Sequence, residues 1–72
     1  MTTEQDVKAI GFELVARYNH DQFNTNRYRK GILKIEFTYE AEELRTVDLM
    51  VSEIDNISVN KEQLETLDQI LN

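Results

Sequence analysis

The sequence predicts an α+β fold: a single domain over residues 1–72 built as helix, antiparallel β-hairpin, helix (α-β-β-α), with both helices packed on one face of the sheet. Three observations predict it. Leu33, Ile35, Phe37 and Tyr39 alternate with Lys34, Glu36 and Thr38, and Val47, Leu49 and Val51 alternate with Thr46, Asp48 and Ser52. That period of two, in β-branched and aromatic residues, is the pattern of half-buried strands. Apolar residues at helical spacing precede the pair, and a helix start signal follows it. A hairpin alone is marginal in water, so the flanking helices are its expected cover.

The first helix is expected to start at Thr2 or Thr3. Thr2 and Gln5 have capping-box spacing, and Glu4 and Asp6 suit the positive end of the helix dipole. Val7, Ile10, Gly11, Leu14, Val15 and Tyr18 then fall on one helical face. Gly11 in mid-helix would cost about 1 kcal/mol relative to Ala, and its use there would be close approach of helix and sheet. Phe12 lies off that stripe. It either covers a flank of the core or anchors another chain.

Residues 19–30 lack a period and are rich in Asn, Asp and Thr, which is loop chemistry. A short third strand around Phe23 or Tyr28 is compatible with this stretch. His20 reads as a cap or a solvated side chain, with no nucleophile or second His near it in sequence. Arg27, Tyr28, Arg29 and Lys30 form a basic cluster with an aromatic, a combination that can bind phosphate and stack a base. The same charges can instead answer the acidic half of the chain or blunt a sheet edge.

The hairpin turn, Glu40-Ala41-Glu42-Glu43, lacks Asn-Gly or Asp-Gly, so a loop of about four or five residues is expected. Pairing Phe37 with Val47 would set Glu36 opposite Asp48, an unfavourable like-charge apposition. Pairing Ile35 with Val47 sets Lys34 opposite Asp48 and is preferred, with Phe37 opposite Leu49 as the alternative. Ile32 and Met50 then occupy the face away from the helices, where a second copy of the chain could cover them. Beyond Val51 the alternation breaks, and Ile54 and Ile57 suit a turn or a short irregular crossing, with a short strand over residues 54–58 as the alternative. The last helix is well marked. Asn60 is its N-cap, Gln63 completes a capping box, and Val59 with Leu64 makes a hydrophobic staple. Leu64, Leu67, Ile70 and Leu71 form its expected buried stripe.

Composition narrows function by exclusion. The 72 residues include no Cys and one His, which removes disulfides and leaves little for a metal site. The two glycines cannot make a phosphate-cradling loop. Asp55, Asn56, Ser58 and Asn60 do not match a calcium loop. No catalytic motif is present, and neither an enzyme nor a cofactor is expected. A polar, acidic start and no long apolar run point to a cytoplasmic protein without a membrane span.

The net charge of −6 is segregated: −2 over residues 1–16, +4 over 17–35 and −8 over 36–72. Such a balance disfavours general nucleic-acid binding and suits a basic protein partner. Small size, charge segregation and the lack of Cys and Pro resemble the style of small phage or mobile-element accessory proteins, with no shared motif. The expected function is therefore a small acidic protein–protein interaction module, non-enzymatic and homodimeric. In its sharpest form it is an inhibitor that fills a nucleic-acid-binding groove of another protein. Glu40, Glu42, Glu43, Glu62, Glu65 and Asp68 are its candidate contacts to a basic partner, and Phe12, Ile32 and Met50 its candidate dimer contacts. The alternative is a nucleic-acid-binding accessory protein acting through Arg27, Tyr28, Arg29 and Lys30.

Overall fold

The computed structural model describes residues 2–51, the backbone of 54–57, and residues 60–72. Its elements are α1 (Glu4–Ala9), β1 (Glu13–His20), β2 (Phe23–Lys30), β3 (Leu33–Glu40), β4 (Glu43–Val51), β5 (Ile54–Ile57) and α2 (Lys61–Leu71). The strands form one antiparallel sheet in sequential order, β1-β2-β3-β4-β5. The expected helix–hairpin–helix is thus corrected. The architecture is a meander of four long strands and one short one, with a helix at each end of the chain.

The correction begins at Gly11. Helix α1 is capped by Thr3, not Thr2: the Thr3 amide donates to Asp6 Oδ2 at 2.9 Å and the Asp6 amide donates to Thr3 Oγ1 at 3.2 Å. It lasts six residues. The Gly11 amide then donates to the Lys8 carbonyl at 3.1 Å and the Phe12 amide to the Val7 carbonyl at 2.9 Å. This is a Schellman ending, which needs a left-handed residue, and Gly11 has φ +100°. The accompanying apolar contact is supplied by Val7 and Phe12, both in the core. Gly11 is therefore the helix terminator, and Leu14, Val15 and Tyr18 belong to a strand.

Three two-residue turns follow at ten-residue spacing: Asp21-Gln22, Gly31-Ile32 and Ala41-Glu42. Each begins with a residue at positive φ, 39° for Asp21, 60° for Gly31 and 50° for Ala41, and Glu42 follows at 67°. At Ala41-Glu42 two consecutive left-handed residues match the twist that a tight hairpin requires, and in the other two turns the first residue alone is left-handed. The four-to-five-residue loop expected at Glu40–Glu43 is thus a two-residue turn. At Gly31 the backbone is also crowded. The Asn72 side chain caps this turn, accepting from the Ile32 amide at 3.1 Å and donating to the Lys30 carbonyl at 2.8 Å. A Cβ on Gly31 would fall 1.9 Å from Asn72 Oδ1.

The hairpin register is also corrected. Phe37 pairs with Val47, Ile35 with Leu49, and Glu36 does stand opposite Asp48. The physical reason lies in β2, which places Arg27 opposite Glu36 on its other side. Arg27 Nη2 and Nε both reach Glu36 Oε2 at 2.8 Å. A two-stranded picture omits this cation and so overrates the repulsion.

One face of the sheet carries the core. Tyr28, Leu33, Ile35, Phe37 and Leu49 are buried there with Val7, Phe12 and Leu64. The Tyr28 and Phe37 rings meet edge-on at 88°, with centroids 5.7 Å apart. Helix α2 starts at Asn60, whose side chain accepts from the Gln63 amide at 2.8 Å while Gln63 Oε1 accepts from the Asn60 amide at 3.0 Å. Its stripe is narrower than expected. Leu64 is buried and Leu67 packs against the core, whereas Ile70 is 71% exposed and Leu71 39%. The staple residue Val59 lies outside the described residues. Lys30 joins three elements, donating to the Ile10 carbonyl at 2.6 Å and to Asp68 Oδ2 at 2.5 Å.

Candidate interaction surface

The face opposite the core is the candidate working surface. Register puts rows of side chains on it. Arg27, Glu36 and Asp48 form one row; Tyr18, Thr25, Thr38 and Thr46 form the next; His20, Phe23, Glu40 and Glu43 lie beyond. The rows are locally satisfied. Thr25 and Thr38 hydroxyls hydrogen-bond at 3.1 Å, and Arg27 lies over the Tyr18 ring at 5.4 Å from its centroid. The Tyr18 and His20 rings stack at 6.2 Å. Phe23, 41% exposed, is left beside them.

At one end of the sheet the turns Asp21-Gln22 and Ala41-Glu42 stand side by side. Asp21, Gln22, Asn24, Glu40, Ala41 and Glu42 line a shallow depression of about 500 Å³ there. Among the described residues Arg45 is the one cation that pairs with these acids, at 3.3 Å from both Glu40 and Glu43. Among the described residues Asp21 and Glu42 form no ion pair. The end therefore keeps an excess of negative charge. Glu42 also holds φ +67°, a strained setting for a side-chain-bearing residue.

The sequence-derived candidates separate into three fates. Of the acidic six, Glu40, Glu42 and Glu43 gather at this tip, and Glu62, Glu65 and Asp68 lie on α2. Asp68 is engaged by Lys30, which holds its carboxyl below the usual carboxylate range. The basic cluster is split by strand alternation. Arg27 is paired with Glu36, Tyr28 is 1% exposed in the core, Lys30 is tied to Asp68, and exposed Arg29 donates to the Gly31 carbonyl. The dimer trio also disperses. Phe12 is buried at 3% exposure, covering the core; Ile32 is half exposed in a turn; Met50 is partly buried opposite Lys34.

A second polar constellation, on the core side, escaped the sequence reading. Glu4 Oε1 accepts from Tyr28 Oη at 2.7 Å and from Asn26 Nδ2 at 3.0 Å, and Glu4 Oε2 accepts from Tyr39 Oη. Burial alone would raise the Glu4 pKa, but the bonds from Tyr39, Tyr28 and Asn26, with the Lys8 charge, hold it below its ordinary value. Burial and then the Glu4 carboxylate push Tyr28 up to about 12, and the same causes raise Tyr39 further. Phenols that stay protonated beside a carboxylate that stays ionised do not exchange protons near neutrality. These four side chains form a clasp between α1 and the sheet. Its signal in sequence was only the alternation that sends Asn26, Tyr28 and Tyr39 to one face.

Among the described residues no three His, Asp or Glu side chains are arranged to hold a metal ion, and no helix is long and apolar enough to cross a membrane. No protein-family model matches this chain, nor does any curated protein or solved structure.

Proposed function

We propose that this chain is a non-enzymatic interaction module that docks its acidic tip against a basic surface of a partner protein. The observation that carries the reading is the pairing of two turns at one end of the sheet, which brings Asp21, Glu40 and Glu42 around one depression. Carboxylates collected on rigid two-residue turns are pre-organised, so less ordering cost opposes binding. Strain kept at Glu42 fits a position selected for something other than stability. The basic partner class includes proteins whose own cationic groove takes nucleic acid, which would make the chain an inhibitor or accessory factor. Nucleic acid itself is the weaker choice, since net charge is −6 and Arg27 and Lys30 are each held by a carboxylate.

The test is affinity capture from the source cells with mass spectrometry, using the intact chain and an Asp21→Asn/Glu42→Gln variant. A basic protein retained by the first, released by moderate salt and lost from the second supports the reading. Equal retention by both, or recovery of nucleic acid in place of a basic protein, overturns it.

A further inference from the structure

We propose that β1 is a self-pairing edge through which two copies of the chain join into one continuous sheet. Four of the seven exposed large apolar side chains among the described residues, Leu14, Val15, Tyr18 and Phe23, belong to the β1–β2 hairpin. Three of them lie on β1 itself, an eight-residue strand at the end of the sheet. A long edge with apolar side chains is a template for another strand, and soluble proteins blunt or cover such edges. Here the blunting is slight: one bulge between Leu14 and Ala16, and one acid and one base, Glu13 and Arg17.

Charge and closure select a second copy as the occupant. In a chain of net charge −6, β1 is formally neutral, so two copies meet there with the least repulsion. Antiparallel pairing of β1 with itself covers the regular part of both long edges at once and leaves β5, four residues, as the outer edge on each side. Such an isologous contact closes at two chains and does not propagate.

Symmetry then narrows the register. A two-fold axis through an antiparallel ladder makes one residue face its own copy. Centring on Arg17 would oppose like charges, and centring on Ala16 would put the bulge inside the ladder. Centring on Tyr18 uses the regular residues 16–20, opposing Tyr18 to Tyr18, Ala16 to His20 and Arg17 to Asn19. The acidic tips then point to opposite ends of the joined sheet, and Glu42, on the β3–β4 turn, stands away from the β1 seam, so this pairing leaves the proposed partner contact accessible.

The experiment is light scattering of the full chain over a concentration series, with oxidative cross-linking of two single-cysteine variants, Tyr18→Cys and Lys34→Cys. The native chain has no cysteine, so each variant reports one position. Directly opposed strand residues lie within disulfide reach. The expected results are a mass of twice 8.5 kDa for the native chain, covalent dimer from Tyr18→Cys and little from Lys34→Cys. Tyr18→Glu should fall to the mass of one chain, with circular dichroism confirming that it stays folded. If it unfolds, the cysteine pair decides. A single-chain mass at millimolar concentration, or cross-linking at Lys34→Cys equal to that at Tyr18→Cys, overturns the proposal. The Asp21→Asn/Glu42→Gln variant should dimerise like the native chain, which separates this result from that of the partner capture.

Discussion

The Glu4 carboxylate accepts a hydrogen bond from the Tyr28 hydroxyl at 2.7 Å, joining the first turn of α1 to the centre of the sheet. Tyr28 is 1% exposed, so its hydroxyl has no water to fall back on. Glu4→Ala should lower stability by about 1–3 kcal/mol, the cost of an orphaned buried donor. Glu4→Gln should cost less, because an amide oxygen still accepts. Urea unfolding followed by circular dichroism measures both.

The same clasp sets a pH dependence. The folded-state pKa of Glu4 lies below its ordinary value of 4.5. Its stabilisation is therefore full above that value and disappears as pH falls through the lower folded value. Melting temperature should decline on acidification below pH 4.5, and the decline should be shallower in Glu4→Gln. An identical acid profile in the two proteins would show that the carboxylate charge is not what the tyrosines hold.

Glu36 faces Asp48 only because Arg27 stands on its other side. Removing the cation in Arg27→Gln should destabilise the sheet by about 1 kcal/mol. Asp48→Asn should recover most of that loss in the double variant, and a double-mutant cycle reads the coupling. Additive effects would mean that the two acids do not interact.

The Ala41-Glu42 turn places two side-chain-bearing residues at positive φ, 50° and 67°. Ala41→Asn with Glu42→Gly supplies residues suited to that geometry and should raise stability by roughly 1 kcal/mol. It should also weaken partner capture, because Glu42 is lost from the tip. A gain in melting temperature without loss of binding would place the contact elsewhere.

The legible parts of the sequence were those in which one physical signal stood alone. Asn60 with Gln63 marks the start of α2 because no competing pattern overlaps it. The alternation at 33–39 and 47–51 correctly assigns the inward residues of β3 and β4. Residues 7–18 were ambiguous, because Val7, Ile10, Leu14 and Tyr18 fit a helical stripe as well as a helix followed by a strand. The deciding fact was the left-handed backbone at Gly11. In β2, Asn24, Thr25 and Asn26 resemble a loop: Thr25 lies on the face without a helix, where it bonds Thr38, and Asn26 lies on the core side, where Glu4 accepts its hydrogen bond, a partner the sequence does not place. The ten-residue spacing of Asp21-Gln22, Gly31-Ile32 and Ala41-Glu42 was the available clue to a meander. The acidic tip was half legible. Glu40, Glu42 and Glu43 adjoin in sequence, but Asp21 joins them only through the strand order.

Both the tip and the self-pairing edge depend on residues 13–20 being a strand against β2. Cross-strand proton contacts in solution NMR test this most directly. The expected result is a set of inter-strand contacts linking Tyr18 with Thr25 and Leu14 with Tyr28, alongside those linking Ile35 with Leu49. Sequential helical contacts running through Gly11 to Tyr18, with none to Thr25, would contradict it.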